Sequence, residues 1–156
     1  MTSYLKNHMK KTDWDKRFID LAYHIASWSK DRSKKVGSVI VDNSRRVISL
    51  GYNGFPQNIN DDIEERHKKP LKLHYTVHAE ANAICTANRS GVKLEGSTIF
   101  ITFPPCSECA KLIIQNGIKR VVCHPINSDK SSWVETTSIG KDLLDEAGVE
   151  IKYLTD

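Results

Sequence analysis

Four residues carry the chemistry that this chain's spacing permits. His78 stands two residues before Glu80, and Cys106 and Cys109 form a C-x-x-C pair behind Pro105. One imidazole and two thiolates make three zinc ligands. A structural zinc site closes with four protein ligands, whereas three leave a position open for reaction. Two thiolates and a neutral imidazole leave the site formally neutral, and zinc so held lowers the pKa of a bound water from about 15.7 towards about 7. Glu80 is then free to carry protons, because a buried carboxylate beside an activated water is a good general acid and base.

Blander arrangements compete with this one. Cys106 and Cys109 with Cys85 and Cys123 would make a structural zinc knot, and alone they would make a redox pair. Neither arrangement has a part for His78, Glu80 or Pro105. Cys85, among Ala81, Ala83 and Ile84, reads as a small buried apolar residue, as does Cys123 at the end of an apolar strand. His74 lies four residues before His78 but ahead of the expected helix start, so it reads as a loop or core-edge histidine. His8, His24, His67 and His124 carry no spacing signal, and surface or hydrogen-bonded roles are the default for each.

The elements that must position the quartet follow from periodicity and punctuation. Thr12-Asp13 is a plausible N-cap, and Trp14, Phe18, Leu21, Ala22, Ile25 and Trp28 recur at helical spacing to about Ser29. Val36 to Val41 and Val47 to Tyr52 read as a hairpin around the turn Asp42 to Arg45. Asn53 to His74 is long, polar and poorly periodic, the mark of a functional or mobile segment. Helices are expected over Glu80 to Asn88, Ser107 to Asn116 (ended by Gly117) and Thr137 to Ala147 (ended by Gly148). Strands are expected over Thr98 to Thr102, Arg120 to Cys123 and Val149 to Leu154. Strands separated by helices favour parallel neighbours with right-handed crossovers. The expectation is an α/β fold: a mixed five-stranded sheet, an opening hairpin followed by parallel strands, with helices on both faces. Each half of the zinc quartet then falls at a helix N-terminus, where the dipole stabilises thiolates.

The chain has 156 residues, 39% apolar and 27% charged, with a formal charge of +4. That suits one soluble domain over 1–156, its core at about 13–154, with no internal repeat or linker. No apolar run is long enough to span a membrane, and the start is polar and basic, unlike a signal peptide. The basic pairs Lys10-Lys11, Lys34-Lys35 and Lys68-Lys69 are too thin for a nucleic-acid stripe, though mild positive charge suits a phosphorylated small molecule. Four cysteines in such a chain point to metal or redox use in a reducing cytoplasm, not to disulfides.

The arrangement H-x-E…P-C-x-x-C resembles the signature of zinc nucleobase deaminases. Gly51 to Pro56 (G-Y-N-G-F-P), Asp61-Asp62, His78 to Ile84 (H-A-E-A-N-A-I) and Pro105 to Val122 narrow the resemblance to the deoxycytidylate (dCMP) deaminases, over about Trp14 to Tyr153. The resemblance implies a three-layer cytidine-deaminase-like fold and one Zn²⁺ per subunit on His78, Cys106 and Cys109. Hydroxide attacks C4 of the cytosine, and Glu80 protonates N3 and then the leaving amine. By the same resemblance, Asn53 contacts the deoxyribose, and the segment 29–35 holds the phosphate, with Ser33 and Lys34 favoured. The Ala79 and Cys106 amides orient the ring. Phe103 and Pro104 wall the base, and Trp133 closes over the nucleotide or packs the last helix. The family often takes dCTP as activator and dTTP as inhibitor near the loop of Gly54, Asn58, Asp61 and Asp62, and is commonly a homohexamer. Asn58 stands where the family usually has Gly, a departure that leaves effector regulation open. The segment 53–77 has no cysteine for a second zinc.

The competing readings are a deaminase of another substrate (a nucleoside, a 5-modified dCMP, dCTP or a tRNA adenosine) and a non-catalytic zinc-binding module. A tRNA editor needs a basic docking face, a nucleoside deaminase has no use for the basic segment, and a zinc module has no use for Glu80.

Overall fold

The protein is seen in a computed structural model that describes residues 12–127 and 131–155; His8, Lys10 and Lys11 lie outside them. Helix α1, Trp14–Ala26, is capped by Asp13, whose carboxylate accepts the Lys16 amide. It ends three residues before the expected Ser29. The Ser27 hydroxyl bonds back to the His24 carbonyl at 2.5 Å, and Ser29 donates to the Asn53 carbonyl at 2.7 Å, which turns the chain towards the sheet.

Strands β1 (Gly37–Val41), β2 (Val47–Tyr52), β3 (Thr98–Ile101), β4 (Arg120–Cys123) and β5 (Glu150–Tyr153) form one sheet in the order β2-β1-β3-β4-β5. β1 pairs antiparallel with both β2 and β3, and β3, β4 and β5 run parallel. The mixed sheet expected from the sequence is therefore present. Three consecutive apolar residues end each central strand (39–41, 99–101 and 121–123), because both faces of the sheet are covered there. Val39, Val41, Phe100 and Val122 pack on Phe18, Ile19, Ala22 and Ile25 of α1. Ile40, Ile99, Ile101, Val121 and Cys123 face the other way, against α3 (Ala79–Arg89), α4 (Ser107–Gln115) and α5 (Val134–Glu146).

The segment 53–77 is more ordered than its composition predicts. It contains a 3₁₀ turn, Glu64–His67, and a single helical turn α2, Lys72–Tyr75. Gly54 and Val77 exchange backbone hydrogen bonds. The His67 ring is buried, stacked on Phe55 at 4.7 Å, and its Nε2 lies 2.6 Å from the Asp61 carbonyl. These long-range ties replace the periodicity that the segment lacks.

α3 lies unusually close to the hairpin. A Cβ on Gly51 would stand 2.5 Å from both the Ala79 carbonyl oxygen and the Ala83 nitrogen. Ser38 and Ser49 donate to the Ala79 and Ala83 carbonyls at 2.8 and 2.6 Å. The hairpin thus grips the first turns of the helix that starts with His78 at its N-cap. α5 begins three residues before the expected Thr137. Its first turns are rich in threonine, a weak helix former, but Thr137 bonds back to the Trp133 carbonyl at 2.8 Å and Thr136 reaches α4.

Candidate active site

Two helix starts meet beyond the carboxyl end of β3. His78 is the N-cap of α3 and Cys106 the N-cap of α4, and neither side chain caps its own helix. N-caps favour Ser, Thr, Asp and Asn because their side chains satisfy the first amides. Here that role is forgone and both side chains turn to a common point. His78 Nδ1 lies 3.4 Å from Cys106 Sγ and 3.4 Å from Cys109 Sγ. Tetrahedral zinc with ordinary bond lengths puts nitrogen and sulfur ligands about 3.6 Å apart, so the donor set fits that ion in kind and in spacing.

The electrostatics suit a dication. The Cys106 thiol is pulled down to about 4, first by the hydrogen bond from Cys109 and then by His78. The same bond, with burial, pushes Cys109 up. Zinc takes both groups as thiolates, so its binding releases the protons they carry. Glu80, in the first turn of α3, is 4% exposed, and burial raises its carboxyl above the usual range.

The site opens into a cleft of about 110 Å³. Every residue expected at the substrate lines it: Ser33 and Lys34 from the segment after α1, Asn53 and Ala79, then Phe103, Pro104 and Trp133. Trp133 stands edge-on to His78 at 5.9 Å and to Phe103 at 6.4 Å, while also being the N-cap of α5. Lys34 Nζ sits 4.5 Å above the Phe103 ring. Of the other basic residues near it, Lys30 pairs with Asp61 at 2.9 Å and Arg32 with Glu64 at 2.7 Å, and neither lines the cleft. Gly54, Asn58, Asp61 and Asp62 are also outside the lining, and Asn58 holds φ +67°, the conformation glycine usually supplies.

Several lining residues had no sequence signal. Asp31, Lys69, Lys72, Leu73 and Thr76 come from polar stretches without periodicity. Gly140 did carry one, as an isolated glycine inside a helical pattern. A Cβ there would stand 2.6 Å from the Pro105 carbonyl oxygen and 3.2 Å from the Cys106 carbonyl carbon and oxygen. Thr136 Oγ1, one turn earlier, accepts the Ser107 amide at 3.1 Å. α5 therefore braces the peptide that presents Cys106. Cys123 is fully buried as expected, but Cys85 is exposed. The buried face of α3 runs through Ala79, Ala83 and Ala87, and Cys85 lies about 200° round from Ala83.

Alanine normally stabilises a helix interior over glycine by about 1 kcal/mol. Gly140→Ala is expected to do the opposite here, lowering stability by about 1–3 kcal/mol through overpacking. Zinc content per chain is expected to fall with it. A melting temperature equal to or above wild type would show that the contact yields without cost.

Residues 12–125 match the cytidine and deoxycytidylate deaminase zinc-binding region. An uncharacterized deaminase of Aliivibrio fischeri is 44% identical over 144 residues, covering 90% of this chain and 93% of that one. The human deoxycytidylate deaminase is 36% identical over 145 residues, 90% of this chain and 79% of that one. Among solved structures, the dCMP deaminase of cyanophage S-TIM5 in complex with dCMP and dUMP aligns with a TM-score of 0.76 at 27% identity, over 94% of this chain and all (100%) of that one.

Proposed function

The chain belongs to the cytidine and deoxycytidylate deaminase family, and from that premise we propose that it converts dCMP and water to dUMP and ammonia. The observation that carries this reading is the pairing, in one cleft, of a three-ligand zinc set beside buried Glu80 with the cationic side chains Lys34 and Lys69. The first suits hydrolysis at a ring carbon and the second a phosphate monoester.

His78, Cys106 and Cys109 would hold the zinc, which would supply an activated water for attack at C4 of the cytosine. Glu80 accepts a proton from that water and delivers it to N3. As the C4–N bond breaks, Glu80 takes the second water proton from the oxygen now on C4 and passes it to the departing amine, so that ammonia leaves and C4 keeps the oxygen as a carbonyl. Burial suits the residue to this work, because raising the pKa of a carboxyl makes it a better proton acceptor than an exposed carboxylate while it still returns the proton. The Ala79 and Cys106 amides, at the two helix starts, orient the ring. Phe103, Pro104 and Trp133 wall the base. Asn53 accepts the Val36 amide and donates to the Lys34 carbonyl, each at 2.8 Å, so it fixes the neighbouring turn while its second N–H meets the deoxyribose. Ser33 and Lys34 take the phosphate.

Gly54, Asn58, Asp61 and Asp62 form the candidate effector loop for dCTP and dTTP, supported by the left-handed backbone at Asn58. A homohexamer in the cytoplasm is the matching assembly and location. No described helix is long and apolar enough to cross a membrane. Many surface cations are paired with carboxylates, as in Lys30–Asp61, Arg32–Glu64, Lys68–Glu65 and Lys111–Glu108. That supports a small anionic substrate over a stable nucleic-acid partner.

The test is a substrate panel of dCMP, CMP, deoxycytidine, dCTP and 5-methyl-dCMP, each with and without dCTP and dTTP as effectors. The zinc-loaded protein is expected to release ammonia from dCMP with the highest kcat/KM. Deoxycytidine turned over as well as dCMP would overturn the monophosphate reading.

A further inference from the structure

We infer that buried Asp31 builds the turn that grips the substrate's 5′-phosphate and that Lys72 neutralises the Asp31 charge there; the inference rests on dCMP as the substrate. Asp31 Oδ1 accepts three hydrogen bonds: from the Ser33 amide at 2.8 Å, the Lys34 amide at 2.9 Å and Lys72 Nζ at 2.8 Å. The two side chains are only 6% and 10% exposed, although both line the cleft. The Asp31 amide in turn donates to Ser29 Oγ at 3.2 Å, and Ser29 to the Asn53 carbonyl at 2.7 Å. The turn is thereby tied to α2 on one side and to the end of β2 on the other.

A pair this buried contributes little net stability, because desolvation offsets most of the attraction, yet losing one partner leaves a costly unpaired charge. Its placement gives it a second consequence. Asp31 occupies the Ser33 and Lys34 amides, so what the turn presents to the cleft is a hydroxyl and an ammonium. An uncompensated carboxylate there would repel a dianionic phosphate, and Lys72, 2.8 Å from Asp31 Oδ1, cancels that charge. Lys72 acts through Asp31 and is a positioning residue; Lys34, seated over Phe103, joins the phosphate end of the cleft to the wall of the base.

The experiment compares Lys72→Met, Asp31→Asn and the double variant, each checked for zinc content and melting temperature, with dCMP and with deoxycytidine. Lys72→Met is expected to raise KM for dCMP by about 10-fold or more while kcat stays within about 3-fold, the signature of lost uniform binding. Its kcat/KM for deoxycytidine, which has no phosphate, is expected to stay within about 2-fold of wild type on the same reasoning. The double variant removes both charges but keeps an oxygen to accept the two amides, so its KM for dCMP is expected to return to within about 3-fold of wild type. If Lys72→Met does not fold, the double variant against wild type still decides. A double variant that folds with a KM raised about 10-fold overturns the inference, as does an equal loss on deoxycytidine. If wild-type protein does not deaminate dCMP at all, the proposed function fails before any variant is tested.

Discussion

Glu80→Gln is expected to lower kcat for dCMP by roughly 10²–10⁴-fold while zinc content stays at the wild-type level. Glutamine keeps the size and most of the packing of the side chain, but it cannot accept a proton from water or return one to N3 and the amine. Both transfers depend on this one group, so the loss belongs in kcat, with KM little changed. Stability is expected to move the other way. Glu80 is buried, burial opposes its charge, and a neutral amide removes that cost. A melting temperature at or above wild type, together with near-total loss of turnover, is the combination expected of a site residue kept for function. A kcat within about 3-fold of wild type would sink the proton-carrier role of Glu80.

Cys109→Ser is expected to bring bound zinc well below one per chain and turnover to background. Cys109 is 2% exposed and sits in the first turn of α4, beside Ala110 and Ile113 in the core. A hydroxyl there is a poor zinc ligand, and zinc affinity needs a deprotonated donor. Because zinc binds the folded site and not the unfolded chain, its loss also lowers apparent stability. Wild-type protein treated with a chelator is expected to show the same two losses, both reversed by added Zn²⁺. In the variant, added Zn²⁺ restores neither. Full activity in chelated, zinc-free protein would overturn the metal reading. The two substitutions separate the roles: Glu80→Gln keeps the metal and loses chemistry, whereas Cys109→Ser loses both.

The quartet was legible in the sequence because each half is local. His78 and Glu80 lie two residues apart and Cys106 and Cys109 three, so a single helix start brings each half into shape. The hairpin, the helix over 79–89 and the strand 120–123 were legible for the same reason, since period and punctuation act within a few residues. Where hydroxyls replaced apolar side chains, as at Thr136 and Thr137, the start of α5 was read late. Cys85 was misplaced by its apolar neighbours, although the phase of Ala79, Ala83 and Ala87 turns it outward.

The sequence by itself determined the reactive set, its metal preference and the α/β order that brings two helix starts to one end of a sheet. These depend on residue type and on spacing within one turn or one strand. Only the tertiary structure decided what surrounds that set. Asp31 meets Lys72 across 41 residues, and Ser107 meets Thr136 across 29. Gly140 lies against the Pro105 carbonyl only because two helices pack there. Such contacts are fixed by the packing of whole elements, which no short-range pattern encodes. The chemistry could therefore be read from four residues, while the grip on the phosphate and the brace behind Cys106 waited for the fold.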